Sequence, residues 1–371
     1  MTITPFKIAI AQTVLDRLQD KLQHADITPE PVTGWQKGTS IAYMQELLAY
    51  WRTSFNWRTQ EAELNQYPHF TTEINGQRVH FLHIKGQGPN PRPLLLTHGW
   101  PDSFYRFHKV IPLLTDPAAH GGDAAASFDL IIPSLPGFGF SELAPLETTA
   151  DTWQQLMTER LGYEKFYAAG GDIGAIITKK LAERYPTNVV AIHLTEVGLP
   201  TGTEPILQTS ETVRNFAGNL PGFLFQEGAF LLLQGSKPQT LAFALVDSPL
   251  GYAAWVTEKF NAWTDNNGNL ENAFTKDELL THIMLYLVSG SVQSSLHAYY
   301  DWTKLAPTPI ITVPTAFASF PKEPIVPPRE WVEANVNLLQ YSQMPAGGHF
   351  PAWEEPVLYS DDLRTFFTKI N

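Results

Sequence analysis

Apolar positions along this chain follow two different periods. Up to about residue 65 the spacing is helical. Leucines at 15, 18 and 22 share one face of a helix predicted over residues 13–23. Residues 28–38, with their Pro and Gly, read as a loop. Ser40 then precedes a second predicted helix over residues 41–53. From His69 the period falls to two. Residues 70–74 and 79–84 read as strands joined at Asn75-Gly76, a hairpin dipeptide. Short buried strands are predicted at 94–96, 129–132, 166–169 and 189–194, with a turn at 133–139 and a helix over 175–184 that stops before Pro186.

After Glu196 the strand signal ceases for roughly 110 residues, and helical stretches appear near 223–234, 239–246, 251–263 and 277–300. Strands resume at 310–312, continuing to about Phe317, and at 339–343. Alternating strands and helices predict an α/β fold with a mostly parallel sheet covered on both faces. The division expected is a helical leader over 1–65, a core over 66–196 and 306–371, and a helical cap over 197–305. Ligands of such sheets bind beyond the carboxyl ends of the strands, where a cap would close. No internal repeat or low-complexity tract interrupts this pattern.

Composition narrows the function. The chain has 371 residues, 43% of them hydrophobic and 17% charged, as expected of a globular protein with a sizeable core. Aromatics reach 12%, which suits a large core or an aromatic-lined cavity. A net charge of -12 with no Lys/Arg cluster argues against nucleic acid as a partner. With no cysteine, thiol catalysis and disulfides are excluded. No apolar run is long enough to span a membrane, and the first residues lack the form of a secretion signal. A cytoplasmic protein is the simplest reading, with oligomeric state open and a homodimer among the options.

The chemistry concentrates at predicted strand ends. Gly170-Gly171-Asp172-Ile173-Gly174 lies between a strand and a helix and has the form of a nucleophile elbow, with Asp where most carry Ser. A carboxylate held out there can attack carbon and form an ester. Gly-Gly-Asp is also ordinary turn chemistry, and Asp is a good helix N-cap. Thr97-His98-Gly99-Trp100-Pro101 follows the strand at 94–96. The N–H groups of Trp100 and Ile173 could form an oxyanion hole, while His98 reads as a holder of loop carbonyls. His349, within Gly347-Gly348-His349-Phe350-Pro351, is a candidate general base. Glu323, after the strand ending near Phe317, could accept the His349 Nδ1–H. Glu330, Glu333, Glu354 and Glu355 compete for that role but read as solvated helix or loop charges.

These motifs, taken together, resemble the epoxide hydrolases of the α/β-hydrolase fold, in the branch that includes the microsomal enzymes. The resemblance also rests on Trp51, Phe55-Asn56-Trp57-Arg58 and Glu61-Ala62-Glu63-Leu64-Asn65 in the leader. Phe320-Pro321-Lys322-Glu323 contributes from the core. In the cap it rests on Lys237-Pro238-Gln239-Thr240, Asp247-Ser248-Pro249 and Glu258-Lys259-Phe260. With no N-terminal anchor, the chain is similar to the soluble microbial forms. The resemblance implies an epoxide and water as partners and no cofactor or metal. It makes Asp172 the nucleophile, His349 the base, Glu323 its orienting acid, and Trp100 and Ile173 the oxyanion donors. It also implies two cap tyrosines that hydrogen-bond the epoxide oxygen. One matches Tyr299. The other position, eight residues before Pro238, holds Phe230, which has no donor and would only line the substrate site with Trp100. Tyr252, Tyr286, Tyr300 or His297 are candidate substitutes.

Two rivals stand beside this reading. A haloalkane dehalogenase-like hydrolase shares the Asp nucleophile but usually carries Trp directly after it, where this chain has Ile173. A catalytically weak or silent member used for binding is suggested only by Phe230.

Overall fold

Nine strands make one sheet in the order β1-β2-β3-β5-β4-β6-β7-β8-β9. They are β1 (Thr4–Phe6), β2 (His69–Ile74), β3 (Gln77–Ile84), β4 (Arg92–Thr97), β5 (Phe128–Pro133), β6 (Phe166–Gly170), β7 (Val189–Leu194), β8 (Ile311–Ser319) and β9 (Val336–Gln343). Pairing is antiparallel from β1 through β3 to β5, and parallel across the other strands. The computed structural model describes residues 2–27 and 34–370, so residues 28–33 of the expected loop lie outside it. Among the described residues no helix is long and apolar enough to cross a membrane.

The inner strands are near-continuous apolar runs because helices cover both faces. Leu94, Leu95, Leu96, Leu130, Ile131 and Ile132 are fully buried. Asn75 and Gly76 both take positive φ, 53° and 78°, which gives the hairpin turn that the dipeptide predicts. Strand β1 was not expected. It is three residues long with Pro5 at its centre, and it pairs only along the sheet edge, against β2.

The leader helices Gln12–Gln23, Ile41–Thr53 and Trp57–Leu64 pack on one another and on later helices. The motif residues do the fastening. Asn65 exchanges two hydrogen bonds with the Ile8 backbone, at 2.9 and 2.8 Å, and Glu61 accepts Ile10 N–H at 2.7 Å and Arg58 at 2.6 Å. Lys21 bonds Asp247 at 2.7 Å, and Tyr50 bonds Asp277 at 3.0 Å.

Between β7 and β8 the chain is helical. Its longer helices are Glu211–Gln226, Ala229–Ser236, Pro238–Asp247, Pro249–Ala262, Lys276–Ser289 and Val292–Trp302. Two expectations need correction here. The stretch read near 223–234 joins the end of one helix, which begins at Glu211 under the Ser210 cap and runs through Pro221 to Gln226, to most of a second, Ala229–Ser236. The single run read over 277–300 is two helices. Gly290, at φ 73°, closes the first in the left-handed conformation.

Sheet order matters most for function. Strands β4, β6, β7, β8 and β9 are consecutive neighbours, so the segments leaving their carboxyl ends lie side by side. Those segments carry Trp100, Asp172, Glu196, Glu323 and His349.

Candidate active site

Asp172 sits in the turn between β6 and the helix Ile173–Arg184, at φ 55° and ψ -132°. A side chain rarely adopts that backbone conformation unless its surroundings impose it. Close packing does so here. A Cβ on Gly174 would lie 2.1 Å from Thr97 O, and one on Gly99 would lie 2.1 Å from Asp172 Oδ1. Glycine at both places lets the two turns touch. The Asp172 side chain makes no helix-cap hydrogen bond of the ordinary kind. Instead Trp100 N–H donates to Oδ1 at 2.8 Å, and Ile173 N–H also bonds this carboxylate. Burial, then the Glu196 carboxylate, pushes the Asp172 pKa up to about 7, while His349 and the two N–H groups pull it down.

His349 follows β9 and is buried. Its Nδ1 meets both oxygens of Glu323, at 3.0 and 3.1 Å, and its Nε2 lies 3.9 Å from Asp172 Oδ2. Nε2 is enclosed and makes no hydrogen bond to protein. The loop is pinned on several sides. His349 N–H donates to Trp263 O at 2.8 Å, and the buried Arg106 donates to His349 O at 2.7 Å. Burial pushes the Glu323 pKa up to about 8, with Arg106 acting in the opposite direction.

These groups open onto a cavity of about 130 Å³. Its walls are mostly apolar, with Phe216, Phe223, Leu231 and Trp302 among them, and Asp172, Glu196, Glu323, His349 and Tyr299 supply the polar atoms. Tyr299 comes from the helix Val292–Trp302 and is 4% exposed. Its ring stands edge-on to Trp100, at 5.5 Å and 86°, and to Phe230, at 5.6 Å and 89°. Burial, then the charges of Asp172 and Glu196, pushes its pKa well above the usual phenol value, so it stays a hydroxyl donor. Phe230 stacks on Trp100 at 5.6 Å and 13°, with Lys259 Nζ 4.8 Å above its ring.

Comparison with known proteins shows the family. Residues 3–107 match the epoxide hydrolase N terminus family, and residues 92–356 match the alpha/beta hydrolase fold family. A putative epoxide hydrolase of Stigmatella aurantiaca is 40% identical, over 99% of this chain and 85% of that protein. The chain belongs to the epoxide hydrolases of the α/β-hydrolase fold. Epoxide hydrolase 1 of Sus scrofa is 37% identical, over 98% of this chain and 88% of its own length. Among solved structures, the Aspergillus niger epoxide hydrolase superposes with a TM-score of 0.87 at 28% identity, covering 100% of this chain and 97% of the other. The juvenile hormone epoxide hydrolase of Bombyx mori gives a TM-score of 0.89 at 28% identity, covering 100% and 95%.

This epoxide hydrolase also uses residues that sequence reasoning passed over. Glu354, read as a solvated charge, instead accepts the N–H groups of Asp265 (2.8 Å), Gly348 (3.0 Å) and Phe350 (2.8 Å) and so braces the His349 loop. Arg106 pairs with Asp102 while holding His349 O. Glu196 accepts Asp172 N–H at 2.6 Å. His98 bonds Gly99 O through Nδ1 and Leu135 N–H through Nε2, which ties two loops together. The candidate substitutes for Phe230 are placed elsewhere. Tyr286 donates to Asp102 O, Tyr300 is 42% exposed under Lys304, and Tyr252 and His297 are not among the cavity residues.

Proposed function

We propose that this protein opens an epoxide to a vicinal diol through an ester on Asp172. One observation carries the proposal. Asp172 Oδ1 is held by the Trp100 N–H at 2.8 Å, and Oδ2 is the oxygen toward His349 Nε2, at 3.9 Å. In the first step Oδ2 attacks an epoxide carbon. The ring C–O bond breaks, and its electron pair stays on the ring oxygen, which takes the Tyr299 proton. In the second step His349 Nε2 takes a proton from water, and the hydroxide attacks the ester carbonyl carbon. Glu323 accepts the Nδ1–H and supports the imidazolium. The negative charge on Oδ1 is met by the Trp100 and Ile173 N–H groups. Collapse expels the diol oxygen, which takes the proton from His349, and the proton left on the regenerated Asp172 carboxyl passes to the Tyr299 phenolate, restoring carboxylate and phenol.

Residues 197–305 then act as a cap on the core of 66–196 and 306–371, with the leader of 1–65 wrapping the core. The apolar wall suits an epoxide carrying an apolar or aromatic group.

A single turnover in heavy-oxygen water tests the ester. The first diol should carry no label, because its new oxygen comes from Asp172. Label in that first diol would show direct attack by water and overturn the reading.

Tyr299 is the one phenol assigned to the ring oxygen, since Phe230 offers no hydroxyl. Y299F should therefore slow alkylation of Asp172 by roughly 10²-fold with little change in KM, because the bond strengthens mainly in the transition state. Unchanged alkylation in a rapid-quench measurement would remove Tyr299 from the chemistry.

A further inference from the structure

Glu196 has no part in the steps above, yet it touches both residues that carry them. It leaves β7 directly and lines the cavity. Its Oε1 accepts Asp172 N–H at 2.6 Å and lies 3.8 Å from His349 Nδ1. Nδ1 thus has two carboxylates beside it, Glu323 at 3.0 Å and Glu196 at 3.8 Å. The titratable and charged groups facing Glu196 come from five elements. They are Asp172 after β6, Glu323 after β8, His349 after β9, Arg106 after β4, and Tyr299 on its helix. Arg106 alone is permanently positive, and it is already engaged by Asp102 and the His349 carbonyl. Three carboxyl groups therefore share an enclosed space with one imidazole. Like charges held so near one another oppose each other's ionisation.

We propose that Glu196 is a positioning residue for both half-reactions: it fixes the strained backbone of Asp172 and stands beside Glu323 as a second carboxylate partner of His349 Nδ1. This rests on the ester reading above. Its charge opposes ionisation of Asp172, in line with the upward displacement of both groups. Two consequences follow from the geometry. Removing the charge should let Asp172 ionise at lower pH. Removing Glu323 should leave His349 with a weaker partner rather than none.

The test is single-turnover kinetics, with alkylation and ester hydrolysis measured separately across pH. In the unaltered enzyme alkylation should fall as pH drops below about 7, where Asp172 becomes neutral. In E196Q that acid limb should move down by about one pH unit. E196D keeps the charge and should leave the limb in place. For hydrolysis, E323Q should lose about tenfold and E323Q/E196Q on the order of 10³-fold. An acid limb unmoved in E196Q, or a double variant no slower than E323Q alone, overturns the proposal. Should E196Q not fold, E323Q/E196D substitutes, because the shorter side chain draws back from Nδ1. A further loss relative to E323Q supports the proposal, and no further loss overturns it. Failure of the unaltered enzyme to form any ester would instead sink the ester reading itself.

Discussion

His349→Gln should leave the enzyme stalled as an ester. The first step needs Asp172 Oδ2 and a proton donor, and His349 supplies neither. The second step needs a base at Nε2, which is enclosed and 3.9 Å from the Asp172 carboxylate. Glutamine fills a similar volume but does not accept a proton from water at neutral pH. Alkylation should therefore run to one equivalent, and hydrolysis should fall by roughly 10³-fold or more. Intact mass spectrometry within the dead period should show the protein heavier by the whole epoxide, with the adduct on the peptide bearing Asp172. A variant that fails to alkylate at all would place His349 in the first step.

Asp172→Asn should abolish the ester. The amide oxygen can still accept from Trp100 N–H, now 2.8 Å from Oδ1, so the elbow keeps its main tie. What disappears is the nucleophile, because an amide does not attack an epoxide carbon at a useful rate. Diol formation should fall by roughly 10⁴-fold or more, with no adduct at any time point. Residual rapid turnover would mean that water, activated by His349, opens the ring directly. The two variants are complementary. One should accumulate the intermediate that the other never makes.

Most of this site is visible in the sequence because its signals are local. Glycines around Asp172, Gly99 beside Trp100 and the glycine pair before His349 all sit at strand ends, and each end is announced by a buried apolar run. Residues acting across the chain were hidden. Glu354 looks like a surface charge beside Glu355, and only folding brings Asp265, 89 positions away, onto its carboxylate. Arg106 reaches the His349 carbonyl across 243 positions. Glu196 had one usable signal, an acid directly after a strand, as Glu323 is. It went unread because the adjacency of β6, β7, β8 and β9 emerges from the sheet order and not from spacing. The helix break at Gly290 was obscured by apolar residues that continue past it with helical spacing.

The bond from the Trp100 N–H to Asp172 Oδ1 carries a consequence for the fate of individual atoms. It tells the two carboxylate oxygens apart. In each proposed cycle the oxygen facing the cavity departs with the diol, and one from water takes its place. Oδ1 stays where the backbone holds it. Unless the carboxylate rotates between cycles, the enzyme replaces one oxygen of this side chain at every turnover and keeps the other from its synthesis.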